Sequence, residues 1–382
     1  MKKLIVLTNM AAPYRNSFFQ HLAKAWDLLV VYNVWSEKNR TWHVDSEVGF
    51  SYQVLDTRAK KVARKRKDVA YEESRWRHGG QGVIKVLRSF KPDVIVTLEF
   101  GARTLRALTY GSIKRTPVIV WWEGTEHTEA ECGLVKKISR KIFSRFLTGA
   151  FANGLESRSY LEMQGLHEGQ IQIGMTGTDT KNFAFQVDRE RENRVSKREI
   201  LGLDGIVLLF CGRLSTGKGI KQLVEALDLL DESDKAACSV LFVGEGSERE
   251  VIEAFSQKPG FPKVHITGFV QPDDLPRYYA MADWFVLPTL DDNWPLVTIE
   301  AIAAGLPQIF SKYNGGSADF ADHPEFGMLS DPLDPHQLRD CLSQAIRKGA
   351  QRLPSHLRQE KIDYYSGEAQ ARRATEFLNR FV

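Results

Sequence analysis

The chain has 382 residues, 43% of them hydrophobic and 26% charged, and its 52 lysines and arginines against 48 acids leave a net charge of +4. That length accommodates two domains with separate cores, and the composition is that of an ordinary soluble globular protein. No apolar run approaches the roughly 18 residues that cross a bilayer. The four scattered cysteines, Cys132, Cys211, Cys238 and Cys341, suggest neither a metal site nor a disulfide framework, so a reducing cytoplasm is the expected compartment.

In chain order, two lysines precede the apolar residues 4–7, too short a core for a secretion signal and better read as a first strand. Short apolar segments then alternate with helical patterns at 3–8, 28–35, 51–55, 93–99, 117–123 and 150–153. A new series opens near Ile206, at 207–211, 239–244, 264–267, 284–288 and 307–311. Such alternation implies parallel sheets with crossover helices. The polar stretch 186–198, QVDRERENRVSKR, reads as a linker. The expected fold class is α/β: two doubly wound parallel-sheet, Rossmann-like domains facing a cleft, one over 1–185 and one over 199–365, with a last helix over 366–382.

Two segments carry surplus positive charge. From Arg58 to Lys67, seven of ten residues are Lys or Arg with no acid among them. Such a run reads as a solvated loop, the sharper alternative being peripheral attraction to anionic lipid headgroups or to a phosphate-bearing acceptor. Segment 134–146 sets Leu134, Ile138, Ile142 and Phe146 at helical spacing beside Lys136, Lys137, Arg140, Lys141 and Arg145, a pattern for a surface helix or an interfacial one. The basic run has no interleaved aromatics, so nucleic acid is not an expected partner.

In open parallel sheets ligands collect beyond the carboxyl ends of the strands. The first strand runs into Asn9-Met10-Ala11-Ala12-Pro13-Tyr14-Arg15, small residues followed by Tyr14 and Arg15, which either meet a phosphate or cap the next helix. The fourth strand ends at Glu99 and the fifth at Glu123, with His127 close behind; both ends are expected at the cleft. After 207–211 comes Gly212-Arg213-Leu214-Ser215-Thr216-Gly217-Lys218-Gly219, a near P-loop that fails where a Ser or Thr should hold magnesium, because that residue is Gly219. Its glycines, the helix N-terminus beyond and the cations Arg213 and Lys218 suit a diphosphate. Gly244-Glu245-Gly246 is a second glycine turn and weak evidence by itself. Last, 282–316 joins a buried strand, an acidic loop (Asp291, Asp292, Asn293) and a helix over 295–304, with Pro295 at its first position and Gly305 as its cap. That helix carries Leu296 and one carboxylate, Glu300, which either points at water or, if buried, needs a partner such as a sugar or ribose diol.

The pattern Pro288-Thr289-x-x-Asp292-x-Trp294-Pro295-Leu296-x-x-x-Glu300-Ala301-x-Ala303-x-Gly305-x-Pro307 resembles the signature of retaining nucleotide-sugar glycosyltransferases of family 4, which have the GT-B fold. The Gly-Arg-x-x-x-x-Lys-Gly run at 212–219 is similar to theirs too. The resemblance implies that Arg213 and Lys218 bind the donor's pyrophosphate, that Asp292 lies by the donor sugar, and that Glu300 holds the ribose. It also places the loop of Gly244 and the segment 267–270 beside the base, with 269–275 as a source of backbone hydrogen bonds to it, sends the last helix back to the first domain, and gives Glu123 a cleft position where many members carry histidine. This chain has Asp292 where the family has glutamate, and Trp294-Pro295 where it has Phe-Gly; proline has no N–H to offer the donor.

The expected function is retaining transfer of a sugar from a nucleotide-diphosphate donor to a hydroxyl of a glycan or glycolipid, in cell-surface polysaccharide synthesis. Arg213, Lys218, Asp292 and Glu123 are its expected catalytic residues. Gly212, Gly244, Asn293, Leu296 and Glu300 are the donor contacts, and Tyr14, Arg15, Glu99 and His127 lie on the acceptor side. No cofactor or metal is expected, since the cations of 213 and 218 neutralise phosphate where a divalent ion otherwise would. A nucleotide-sugar epimerase, a phosphorylase of the same fold and an inactive binding scaffold are the competing classes.

Overall fold

The structure is a computed structural model that describes residues 1–382 except 37–45, 56, 58, 67–70, 176, 321 and 322, and only the backbone of 59, 60, 63–66, 71–75, 77 and 78. It divides into two units. Met1–Arg64, Glu73–Asp179 and Tyr364–Val382 form the first, and Thr180–Asp363 with Lys65–Glu72 the second. The strands are β1 (Lys3–Met10), β2 (Asp27–Val34), β3 (Ser51–Val54), β4 (Ala59–Arg66), β5 (Tyr71–His78), β6 (Val94–Leu98), β7 (Val118–Trp122), β8 (Gly149–Ala152) and β9 (Ile171–Ile173). They continue with β10 (Ile206–Cys211), β11 (Cys238–Val243), β12 (Lys263–Ile266), β13 (Trp284–Leu287), β14 (Gln308–Ser311) and β15 (Gly327–Ser330).

The first unit holds a parallel sheet in the order β3-β2-β1-β6-β7-β8-β9. Its centre is β1, whose run of apolar residues follows from burial on both faces. Leu4 and Val6 enter one core with Phe18, Phe19, Leu22 and Phe377, while Ile5 and Leu7 enter the other with Val83, Leu87 and Ala107. The last helix, Gly367–Leu378, is part of this unit. Trp26 Nε1 donates to Thr375 Oγ1 at 3.2 Å, and a Cβ on Gly367 would stand 2.4 Å from Ser17 Oγ, so glycine is what lets the last helix lie against the first.

The second unit holds a parallel sheet in the order β12-β11-β10-β13-β14-β15. Leu209, Phe210, Phe242, Phe285 and Tyr279 lie in its core. Each sheet has one point where successive strands change sides, between β1 and β6 and between β10 and β13, and ligands of open sheets bind beyond such points.

Three sequence expectations need correction. The basic run is not a loop: its backbone is β4, paired with β5 in a two-stranded sheet, because main-chain hydrogen bonds form a ladder whatever the side chains. Lys61 there is exposed, whereas Arg58 and Lys67, and the side chains of Lys60, Arg64, Lys65 and Arg66, lie outside the described residues. The stretch 186–198 is not a linker but falls in the helices Thr180–Arg191 and Arg194–Ile200. Val187 is fully buried, and Arg194 and Arg198 ion-pair with the buried Asp283, so the charge that imitates a linker is matched to a carboxylate in the core. Pro295 is not the first residue of its helix. It caps Leu296–Ala303 from outside, with φ −74° and ψ 123°.

Candidate functional site

The second unit gathers its chemistry beyond β10 and β13. Where β10 ends, Gly212 has φ +147°, and a Cβ on Gly244 would stand 1.9 Å from the Gly212 carbonyl oxygen. The two glycine turns therefore pack backbone against backbone. Leu214 N donates to Glu245 O at 3.0 Å, and Glu248 N to Leu214 O at 3.0 Å. Arg213 projects from this loop and is exposed. Thr216–Lys218 makes one tight turn, and the helix Ile220–Asp228 starts after Gly219, whose φ is +70°.

The loop after β13 is laced onto this turn. Leu290 N and Thr289 Oγ1 both donate to Gly217 O, at 2.9 and 3.0 Å. It is tied equally to the loop after β14, where Gly315 N donates to Asp292 O at 3.0 Å. Held from both sides, Asp292 ion-pairs with Lys218. Asp291 beside it is buried, and Asn293 Oδ1 is a buried acceptor with no hydrogen-bond donor. Trp294 is buried and donates through Nε1 to Asp319 Oδ2 at 2.9 Å, which anchors the approach to the helix Leu296–Ala303. Leu296 opens that helix and is half-buried.

Glu300 does not point freely at water. Its Oε2 accepts from the Tyr279 hydroxyl at 2.8 Å, and Tyr279 is itself fully buried in the core beside β10. Burial pushes the Glu300 carboxyl above the usual carboxylate range, and the Tyr279 hydroxyl works against that shift. Tyr279 carries no sequence signal for this role: it stands 21 residues before Glu300, in an apolar helix.

The expected acceptor-side residues belong to the first unit. Arg15 is buried, donates to Thr8 Oγ1 at 3.1 Å and Glu123 Oε1 at 2.8 Å, and lies 4.5 Å from the Trp121 ring centroid. Burial alone would lower its pKa, but Tyr14 and Glu123 outweigh it and hold the guanidinium above its ordinary value. Arg15 thus stands at the N-cap position of the helix Asn16–Ala25 without a side-chain capping bond, because its guanidinium is engaged with Thr8 and Glu123. Tyr14 lies 5.5 Å from that guanidinium. Glu99 is exposed, with φ +65° at the end of β6, a left-handed conformation rare outside glycine. His127 sits half-buried in a turn closed by Thr125 and Thr128, whose hydroxyls each accept the other's backbone N–H at 3.1 and 2.9 Å. Among the described residues no helix is long and apolar enough to cross a membrane.

Residues 192–363 match the family described as Glycosyl transferases group 1. The chain is 29% identical over 213 residues to the putative teichuronic acid biosynthesis glycosyltransferase TuaC of Bacillus subtilis, which covers 56% of this chain and 50% of that protein. It is 25% identical over 278 residues to a sulfoquinovosyl transferase of Arabidopsis thaliana, covering 69% and 51%. The chain spans about half the length of these curated relatives. The crystal structure of Anabaena HepE in complex with UDP superposes with a TM-score of 0.73 at 16% identity, over 99% of this chain and 100% of that one. The fold is thus two parallel-sheet, Rossmann-like α/β domains, an arrangement that matches the HepE structure over nearly its whole length.

Proposed function

We propose that this chain, whose residues 192–363 match the glycosyl transferases group 1 family, moves a sugar from a nucleotide-diphosphate donor to a hydroxyl of a glycan or glycolipid with retention at the anomeric carbon. The observation that carries the reading is the Lys218–Asp292 ion pair set among the loops after β10, β13 and β14. A diphosphate entering there meets the Lys218 ammonium, the Arg213 guanidinium and the start of the helix Ile220–Asp228.

In this mechanism Lys218 turns from Asp292 to the departing phosphate, where negative charge grows as the bond to the anomeric carbon breaks. The freed Asp292 carboxylate and the unpartnered Asn293 Oδ1 accept hydroxyls of the donor sugar. Glu300, steadied by Tyr279, accepts from the ribose. The acceptor oxygen attacks the face the diphosphate leaves, and its proton passes to a departing phosphate oxygen. Arg15 and Glu123 hold the ends of β1 and β7 together, and Tyr14, Glu99 and His127 border the acceptor. Protein cations serve the leaving group, so turnover is expected to persist in EDTA. A cell-surface polymer is the favoured acceptor class, in keeping with the name of the Bacillus subtilis relative.

Thermal-shift screening against UDP-, GDP- and ADP-sugars, followed by assay of nucleotide release, tests the reading. A shift and release that Lys218→Ala or Arg213→Ala removes are expected. Absence of both with every donor would make the protein a binding scaffold, and a changed donor sugar without nucleotide release would make it an epimerase.

A further inference from the structure

The helix Leu134–Ser144 faces the wrong way for a soluble protein. At ~100° per residue, Leu134, Val135, Ile138 and Ile142 share an arc of roughly 100°. All four are exposed, from 47% at Ile142 to 82% at Val135, and Phe146 in the following turn is 62% exposed. The side turned inward carries Arg140 and Ser144, both buried. Arg140 donates to the Tyr160 hydroxyl at 2.5 Å and to Glu129 Oε2 at 2.7 Å, and its guanidinium lies 4.8 Å from the Trp122 ring centroid. Surface helices ordinarily bury their apolar stripe. Here rotation to do so would strip a buried guanidinium of its partners, so Arg140 locks the stripe outward.

The charge around the stripe selects what covers it. Lys136, Lys137, Lys141 and Arg145 are all exposed, and residues 134–149 contain no Asp or Glu. A second copy of the chain would bring like charges together on the same stripe. An anionic bilayer instead takes the apolar side chains among its acyl chains and the cations at its phosphates. We propose that this helix is a membrane-docking face for anionic phospholipid. The inference stands on this face alone and does not depend on the transfer chemistry.

Flotation with vesicles of phosphatidylglycerol and phosphatidylcholine, against phosphatidylcholine alone and without any nucleotide sugar, tests it. Binding to the anionic vesicles only is expected, weakening as salt rises. The exposed substitutions Ile138→Asp with Ile142→Asp should abolish it while leaving the melting temperature unchanged. Lys137→Glu with Lys141→Glu should lower partitioning by roughly fivefold or more per charge. Failure to float with anionic vesicles, flotation unaffected by Ile138→Asp with Ile142→Asp, or a dimer that these substitutions dissociate in the absence of lipid binding would each overturn the proposal.

Discussion

The Lys218 ammonium is ion-paired with the Asp292 carboxylate across 74 residues of chain, joining the loop after β10 to the loop after β13. The side chains are 21% and 18% exposed, within reach of a ligand yet largely withdrawn from water. A cation already held in place loses less rotamer freedom when a phosphate arrives, and its release uncovers a carboxylate where the donor sugar would lie.

If the two residues act as one unit, their substitutions will not add. Lys218→Ala and Asp292→Ala are each expected to lower kcat/KM for nucleotide release by roughly 10²–10³. The double variant should be little worse than the poorer single one. Losses that multiply in a double-mutant cycle would show that the pair is incidental to turnover.

Glu300 predicts a pH signature. Its raised pKa means that the folded protein keeps this proton to higher pH than the unfolded chain does. Stability is therefore free of the penalty below the unfolded value and declines as pH rises toward the folded one. Nucleotide affinity should run the other way, falling on acidification with a midpoint above the ordinary carboxylate range. Tyr279→Phe removes the bond that favours the charged form and should move the midpoint higher, while Glu300→Gln should flatten the profile. Titration of nucleoside-diphosphate binding from pH 5 to 8 decides it, and an unmoved midpoint in Tyr279→Phe would break the assignment.

Sequence legibility was uneven for physical reasons. The central strands β1, β6, β10 and β13 announce themselves because burial on both faces demands unbroken apolar runs. The glycine turns at 212 and 244 are legible because backbone packs where a Cβ would collide. Hidden strands are those whose pairing owes nothing to apolar pattern, namely the charged β4 and β5 and the short β9 and β15. Partners distant in sequence were equally invisible: nothing near Glu300 names Tyr279, and nothing in 186–198 names Asp283. The helix Leu134–Ser144 was visible as a pattern, but which way its stripe faces is decided by Arg140 and its partners.

The pairing of Arg15 with Glu123 predicts a stability effect separable from donor binding. Glu123→Ala leaves a buried guanidinium without its carboxylate. The cost should be about 2–3 kcal/mol, below that of orphaning a wholly buried charge because the Glu123 side chain is 23% exposed. Glu123→Gln keeps an acceptor and should cost about 1 kcal/mol. Urea unfolding measures both, and the thermal shift produced by donor should be unchanged in either variant, since the pair lies in the first unit.

Gly219, like Gly244, is a position where main chain packs directly on main chain in the site. Its φ of +70° is left-handed, and a Cβ there would stand 1.9 Å from the Pro288 carbonyl oxygen, at the end of β13. Gly219→Ala therefore meets a conformational cost of about 1–2 kcal/mol and a collision with main chain that only displacement of one loop relieves. Gly202 separates the two contributions, since it has φ +66° and nothing within 4 Å of a built Cβ. Gly202→Ala should lose only about 1–2 kcal/mol, and Gly219→Ala at least twice as much. Because the collision would push apart the loops bearing Lys218 and Asp292, Gly219→Ala should also lose its donor-induced thermal shift while Gly202→Ala keeps it. Equal urea midpoints for the two variants would mean that the close approach of Gly219 to Pro288 contributes nothing.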